Sequence, residues 1–204
     1  MPIKAGTLTA KGRETKGRIV AAAAGLMFEN GVADTTVEDV RAAAGVSNSQ
    51  IYHYFKDKTA LVRAVIEHQS DTVIEPHEEW FAELDTMAGL RQWRDLVVQK
   101  QREMNCRGGC PIAVLAGQLA EYDEAARLQL AHSFARWSQG LRTGLLTMHA
   151  NGTLRPEADP EALALALLAS LQGGLLITQL NRDTKPLETA LDAAIAHIEA
   201  HTQR

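Results

Sequence analysis

Apolar positions return every three to four residues through most of the chain, the spacing that turns one side of an α-helix toward a core. Ile19, Ala23, Leu26 and Met27 set this rhythm and Val20 and Phe28 widen the face. Asn30-Gly31 breaks it, which predicts a first helix over residues 13–30. Thr36 caps a short second helix with Val37 and Val40 on its apolar side. Gly45 stops it, because glycine enters φ > 0 without a Cβ penalty. Ser47 caps a third helix, on which Ile51 and Phe55 stand four apart and share one face. A fourth starts at Asp57, carries Leu61, Val62, Val65 and Ile66, and runs to about residue 71 or on to 84, with Pro76 placed to kink or divide it. Further helices are predicted over about 88–104, 112–120 with Pro111 in the first turn, 123–151, 159–181 and 186–200. Strand signals are scarce. The chain therefore reads as all-α, with about nine helices and a boundary inside the fourth: a helix-turn-helix unit over residues 1–60 and a second helical unit over 61–204.

Composition narrows the class. The chain has 204 residues and is 46% hydrophobic, enough for a sizeable core. No apolar run reaches the ~18 residues of a membrane span. Residues 163–180 come nearest, but Ser170, Gln172, Gly173, Gly174, Thr178 and Gln179 interrupt them. The first residues lack the apolar stretch of a secretory signal, and two cysteines suit a reducing cytoplasm. The expectation is a cytoplasmic protein with no membrane partner. The net charge of −4 hides a polarity, since five of the first twenty residues are Lys or Arg and one is acidic. A basic head on an acidic body suits a protein that meets a polyanion at one end. Residues 1–10 read as a disordered arm, with Lys4 and Lys11 available to a phosphate backbone.

The segment Thr35 to Lys58 carries the candidate chemistry. Its second helix opens with Asn48, Ser49, Gln50, Tyr52, His53 and Tyr54, dense in hydrogen-bonding groups. A helix-turn-helix presents the first exposed side chains of its second helix to base edges in the major groove of double-stranded DNA. Asn48 and Gln50 carry amides of the kind that pair bidentately with adenine. Thr36, Ser47 and Ser49 offer hydroxyls to phosphates, and Tyr52 suits either phosphate contact or packing between helices.

Several motifs together resemble one family. Asn30-Gly31, Thr35-Thr36, Ala44-Gly45-Val46-Ser47, Ile51-Tyr52-His53-Tyr54-Phe55 and Lys58-x-x-Leu61 look like the N-terminal domain of TetR-family transcriptional regulators over residues 12–63. Gly109-Cys110-Pro111-Ile112, Leu115-Ala116, Glu121, Asp123-Glu124-Ala125-Ala126-Arg127, Phe134-Ala135-Arg136-Trp137 and Leu171-Gln172-Gly173-Gly174 resemble the C-terminal domain of the LmrA/YxaF-like branch. The resemblance implies a homodimeric repressor on a palindromic operator, released by a small-molecule effector. It also carries phosphate contact onto Tyr52, Tyr54 and Lys58, and DNA contact onto His53.

The second unit is then expected to hold a ligand site and a dimer interface. Large soft and aromatic side chains (Trp80, Phe81, Trp93, Met104, Phe134, Trp137 and Met148) gather there, joined by Ile112 and Leu115, with Gln118, His132 and Gln179 as polar candidates. They suit an apolar or aromatic ligand. Leu163, Leu167, Leu171, Gly174 and Thr178 on the eighth helix, and Leu191 and Ile195 on the ninth, form stripes that suit burial within one chain or a four-helix interface between two. The resemblance selects the interface. Cys106 and Cys110 in CRGGC leave open a thiol-sensing alternative, although no second Cys/His pair stands near them to make a metal site. His197 and His201, four apart, lie on a terminus expected to fray. No G-x-S-x-G, P-loop or H-E-x-x-H occurs, so neither enzyme chemistry nor a cofactor is expected.

Overall fold

The computed structural model describes residues 8–81 and 83–203, apart from the side chains at 78 and 79. Among these residues the chain is all-α. The helices are α1 (Ala10–Asn30), α2 (Val37–Ala44), α3 (Asn48–Tyr54), α4 (Lys58–Phe81), α5 (Met87–Glu103), α6 (Pro111–Leu119), α7 (Glu124–Ala150), α8 (Pro160–Asn181) and α9 (Lys185–Glu199). Most of the expected arm, including Lys4, lies outside the described residues.

Local signals account for the ends. The Thr9 hydroxyl accepts from the Gly12 N–H at 3.1 Å, so α1 begins three residues ahead of the expected start at Arg13. Thr36 with Asp39, and Ser47 with Gln50, close capping boxes on α2 and α3. Gly45 takes the left-handed conformation, φ 62°, that ends α2. Asp57 Oδ1 accepts from the Ala60 N–H at 2.7 Å and starts α4. That helix runs through Pro76 without dividing. Its first half packs on α1 through buried Leu61, Val62, Val65 and Ile66, and its second half packs on α7.

The helix 8/9 stripes lie elsewhere than the interface reading placed them. Leu163, Leu167, Leu171, Gly174, Thr178, Leu191 and Ile195 are all buried within one chain. A Cβ on Gly174 would stand 3.0 Å from the Leu187 Cα, so α8 and α9 touch closely there. Thr178 Oγ1 accepts from the Leu187 N–H at 3.1 Å beside that contact. α8 is apolar on every side, long and apolar enough by composition alone to cross a membrane, although its inner face is core. Periodicity could not tell its inner side from its outer one. The outer side shows Leu165, Leu176, Ile177 and Leu180, from 48% to 73% exposed.

The last described residues are held rather than frayed. Arg155 N–H donates to the His201 carbonyl at 2.8 Å and Gln203 N–H to the Thr153 carbonyl at 2.9 Å. His201 Nδ1 lies 2.9 Å from the His197 carbonyl oxygen, and among the described residues no third His, Cys, Asp or Glu joins the pair in a metal-ligating group.

Two glycines seat the segment between α4 and α5. A Cβ on Gly144 would fall 2.4 Å from the Leu84 carbonyl oxygen, and one on Gly89 would fall on the Glu83 backbone. By contrast, Gly25 has nothing within 4 Å. Gly144→Ala is expected to lower stability by ~1–3 kcal/mol through overpacking. Gly25→Ala is expected to raise it by about 1 kcal/mol through helix propensity. Calorimetric melts of the three proteins check this, and equal melting temperatures would contradict the packing described.

Candidate nucleic-acid interface and buried cavity

Ile51 and Phe55 are the anchors of α3, 1% and 5% exposed. Turning them inward leaves Ser47, Asn48, Ser49, Gln50, Tyr52 and His53 exposed. Tyr52, 55% exposed, does not pack between helices; Tyr54 does, half-buried against the core. His53 meets the Tyr54 ring edge to face at 4.9 Å. The Tyr54 hydroxyl reaches the backbone of Gly12, which places the N-terminus of α1, with Lys11, Arg13 and Lys16, beside α3.

Hydrogen bonding then sorts the exposed groups. Gln50 Oε1 accepts from the Ser47 N–H at 2.9 Å, so the capping box competes with a base edge for its amide oxygen. Ser47 Oγ caps the Gln50 N–H and lies 3.1 Å from Ser49 Oγ. Thr36 Oγ1 donates to Asp39 Oδ2 at 2.6 Å, and this bond holds the Asp39 carboxyl below its usual range. Thr36 therefore acts as a cap first. Lys58 Nζ donates to the Ala33 carbonyl at 3.0 Å and keeps further N–H donors. Asn48 makes no side-chain hydrogen bond among the described residues, which leaves it as the free amide of this face.

A cavity of about 430 Å³ lies among α1, α4, α5, α7, α8 and the start of α6. Phe28 closes it from α1. Thr72, Val73, Pro76, His77 and Trp80 line it from α4, Trp93, Leu96, Val97, Lys100 and Gln101 from α5, and Met104 from the cap of α5. Gly109, Cys110, Pro111, Trp137, Leu171 and Leu175 complete the wall. All three tryptophans of the chain are here. Trp80, Trp93, Met104 and Trp137, expected at a ligand site, are all in this lining. The other expected members do not line it, and Phe81 instead borders a separate groove. Ile112 and Leu115 are core on the inward side of α6, and Phe134 packs half-buried against that core. The Gln179 amide rests on the backbone of Gly109. Met148 is core, and His132 faces a separate groove with Ile74 and Arg136. Leu171 lines the cavity from within one chain, not an interface.

Sequence reasoning missed Phe28, His77, Gln101 and Cys110. The signal existed for the helical ones. Positions 73, 76, 77 and 80 of α4, and 93, 97, 100, 101 and 104 of α5, repeat at helical spacing on one face. The interior polar groups are notable. Trp93 Nε1, Trp137 Nε1 and Gln101 Oε1 are buried without a partner. His77 lies 6.2 Å from the Phe81 ring centroid and 5.6 Å from that of Trp137, and burial lowers its pKa. Burial pushes the Cys110 thiol up, away from the reactive thiolate, and Cys106 is buried too; both are free thiols.

A seam joins cavity and reading unit. Gln118, expected in the cavity, instead accepts from the Val32 N–H at 2.6 Å and so ties the end of α6 to the turn after α1. Pro111 at the start of the same helix lines the cavity. Arg136 pairs with Asp71 at 2.9 Å, and Gln129 donates to the Arg63 carbonyl at 2.9 Å, fastening α7 along α4.

Residues 19–65 match the model of the tetR family of bacterial regulatory proteins, and residues 86–193 match that of the LmrA/YxaF-like transcriptional regulator C-terminal domain. An HTH-type transcriptional regulator of Lactococcus lactis is 25% identical over 188 residues, 88% of this chain and 91% of that protein. The HTH-type transcriptional repressor DhaR of Mycobacterium sp. strain GP1 is 25% identical, over 81% of this chain and 83% of its own. A crystal structure of a TetR transcriptional regulator from Chloroflexus aurantiacus superposes with a TM-score of 0.80 at 27% identity, covering 95% of this chain and 98% of that one.

His77 gives a pH test. Unfolded imidazole titrates near about 6.5, and the folded value is lower. Below about 6.5 the unfolded chain therefore binds the proton more readily, so the stability held by neutral His77 is full above that pH and lost as pH falls toward the folded value. Denaturant melts from pH 7.5 to 5 are expected to show a smaller fall in stability for His77→Phe than for the parent. Identical pH slopes would contradict this.

Proposed function

Because this chain belongs to the TetR family of bacterial regulatory proteins and is a DNA-binding transcriptional regulator, we propose that it is a cytoplasmic, homodimeric repressor released from a palindromic operator when a small, largely apolar effector fills the cavity. The observation that carries this reading is that the cavity wall includes Phe28 of α1 and the second half of α4, whose first half packs on the reading unit. An occupant therefore touches the elements that aim α3.

In this reading Asn48 contacts a base edge, and Tyr52, Tyr54, Ser49 and Lys58 hold phosphates, with His53 beside them. Gln50 contributes its amide N–H₂ alone. The dimer forms through the outer side of α8, where Leu165, Leu176, Ile177 and Leu180 present an apolar surface to water. Two reading helices about 34–36 Å apart enter successive major grooves, and an effector that binds better to another spacing weakens the complex. The buried thiols and the raised Cys110 pKa give the thiol-sensing alternative no support.

A gel shift against DNA flanking the protein's own gene, over a salt series, tests the reading. Affinity is expected to fall steeply as salt rises. Lys58→Ala is expected to weaken all sequences alike, whereas Asn48→Ala changes sequence preference. Leu176→Glu is expected to sediment as a monomer and bind poorly. A flat salt response would overturn the DNA assignment, and an intact Leu176→Glu dimer would overturn the interface.

A further inference from the structure

A second hollow, of about 840 Å³, shares no lining residue with the cavity. Arg102, Asn105 and Arg107 border it from the end of α5 and the turn that follows, and Arg182, Asp183 and Thr184 border it from the turn between α8 and α9. The two turns are pinned together. Arg182 Nη1 donates to the Cys106 carbonyl at 2.9 Å, and that carbonyl belongs to the peptide bond that carries the Arg107 nitrogen. The Arg182 guanidinium is therefore within one side chain's reach of Arg107. Arg102 Nη2 and Thr184 Oγ1 donate to the same Glu188 oxygen at 2.7 and 2.8 Å, which brings Arg102 beside the Arg182–Thr184 turn.

The charges around this hollow do not balance in pairs. Glu188 answers Arg102. Asp183, the one carboxylate of the lining, spends Oδ1 on the Lys185 N–H at 3.0 Å. Arg107 is exposed, and among the described residues its side chain makes no hydrogen bond or ion pair. Arg182 is exposed too, and the partner of its guanidinium is a neutral carbonyl. Two guanidinium groups are thus left without a counter-charge at one place. The start of α9 adds no free donors, because the Lys185 N–H goes to Asp183 and the Leu187 N–H to Thr178. A guanidinium fork pairs with two oxygens of a carboxylate or a phosphate. One fork already takes both oxygens of a carboxylate. A phosphoryl group carries three terminal oxygens and about two charges, so it can meet both forks at once.

We propose that this hollow binds the phosphoryl group of a small phosphorylated molecule, gripped by Arg107 and Arg182, with Arg102 and Thr184 at its edge. It is a second ligand site, and it stands or falls independently of the effector reading of the cavity.

Pyrophosphate is the probe. Isotope-labelled full-length protein is titrated with it at fixed ionic strength, citrate and acetate serve as the carboxylate arms, and the arginine Nε–H resonances are followed by NMR. The Arg107 and Arg182 resonances are expected to move together with one saturable midpoint. Pyrophosphate is expected to bind about tenfold more tightly than citrate, and acetate is expected not to saturate. Arg107→Gln has no bond to lose and is expected to fold like the parent while weakening pyrophosphate about tenfold, the scale of one charge-assisted hydrogen bond. Arg182→Gln is a second variant on the other turn and should weaken it as much. The reading unit can also attract phosphate, and the local resonances separate the two places. If Arg13 or Arg41 moves while Arg107 and Arg182 stay still, the proposal is wrong. It is equally wrong if citrate binds as tightly as pyrophosphate, or if the midpoint survives Arg107→Gln.

Discussion

The 24-residue helix α4 is packed at its start on the core of the reading unit and along its second half on α7 and the cavity, so both parts of the chain share one rod roughly 36 Å long. Leu61, Val65 and Ile66 are fully buried at one end, and Ile74, His77 and Trp80 belong to the other. A close-packed core resists small displacements instead of absorbing them. Any occupant that shifts the far half of α4 is therefore felt where α3 is aimed. Asp57 and Lys58 fix the near end, one by capping the helix and the other by holding the turn at Ala33.

A second path runs beside the rod. α6 begins at the cavity with Pro111 and ends at Gln118, whose amide oxygen holds the Val32 N–H. Phe28, one turn before that N–H, closes the cavity from the other side. The turn after α1 is thus gripped by Gln118 from the second unit and by Lys58 from α4. Coupling of this kind needs differential contacts in two arrangements rather than distance alone. The contacts named here are the ones an occupant can strain.

Much of this was legible in the residues. Thr36, Gly45, Ser47 and Asp57 act locally, so their signals survive folding, and the anchors Ile51 and Phe55 follow from spacing. What failed was whatever depended on a partner distant in sequence. Gln118 reads as a polar cavity group until Val32, 86 residues away, is seen to need an acceptor. Gln179 likewise turns to a distant partner, its amide packing against Gly109, where only the lack of a Cβ leaves room for it. α8 misled for a different reason: with apolar residues on all sides, its periodicity carries no direction, and only the close approach at Gly174 shows which side meets α9. Gln50 illustrates a third cause, because one side chain suits both a cap and a base, and the cap is nearer.

The central claim is that filling the cavity, by whatever means, loosens the hold on DNA. Val97 lines the cavity from α5 and is 8% exposed, and it lies on neither the reading face nor the outer side of α8. A larger side chain there occupies the space without any ligand. The most direct measurement is the operator affinity of Val97→Phe against that of the parent, with circular dichroism and sedimentation confirming the same fold and assembly. The account predicts that the variant binds its operator about tenfold or more weakly, the usual scale of coupling between two sites. An unchanged affinity in a folded variant with a filled cavity would contradict it.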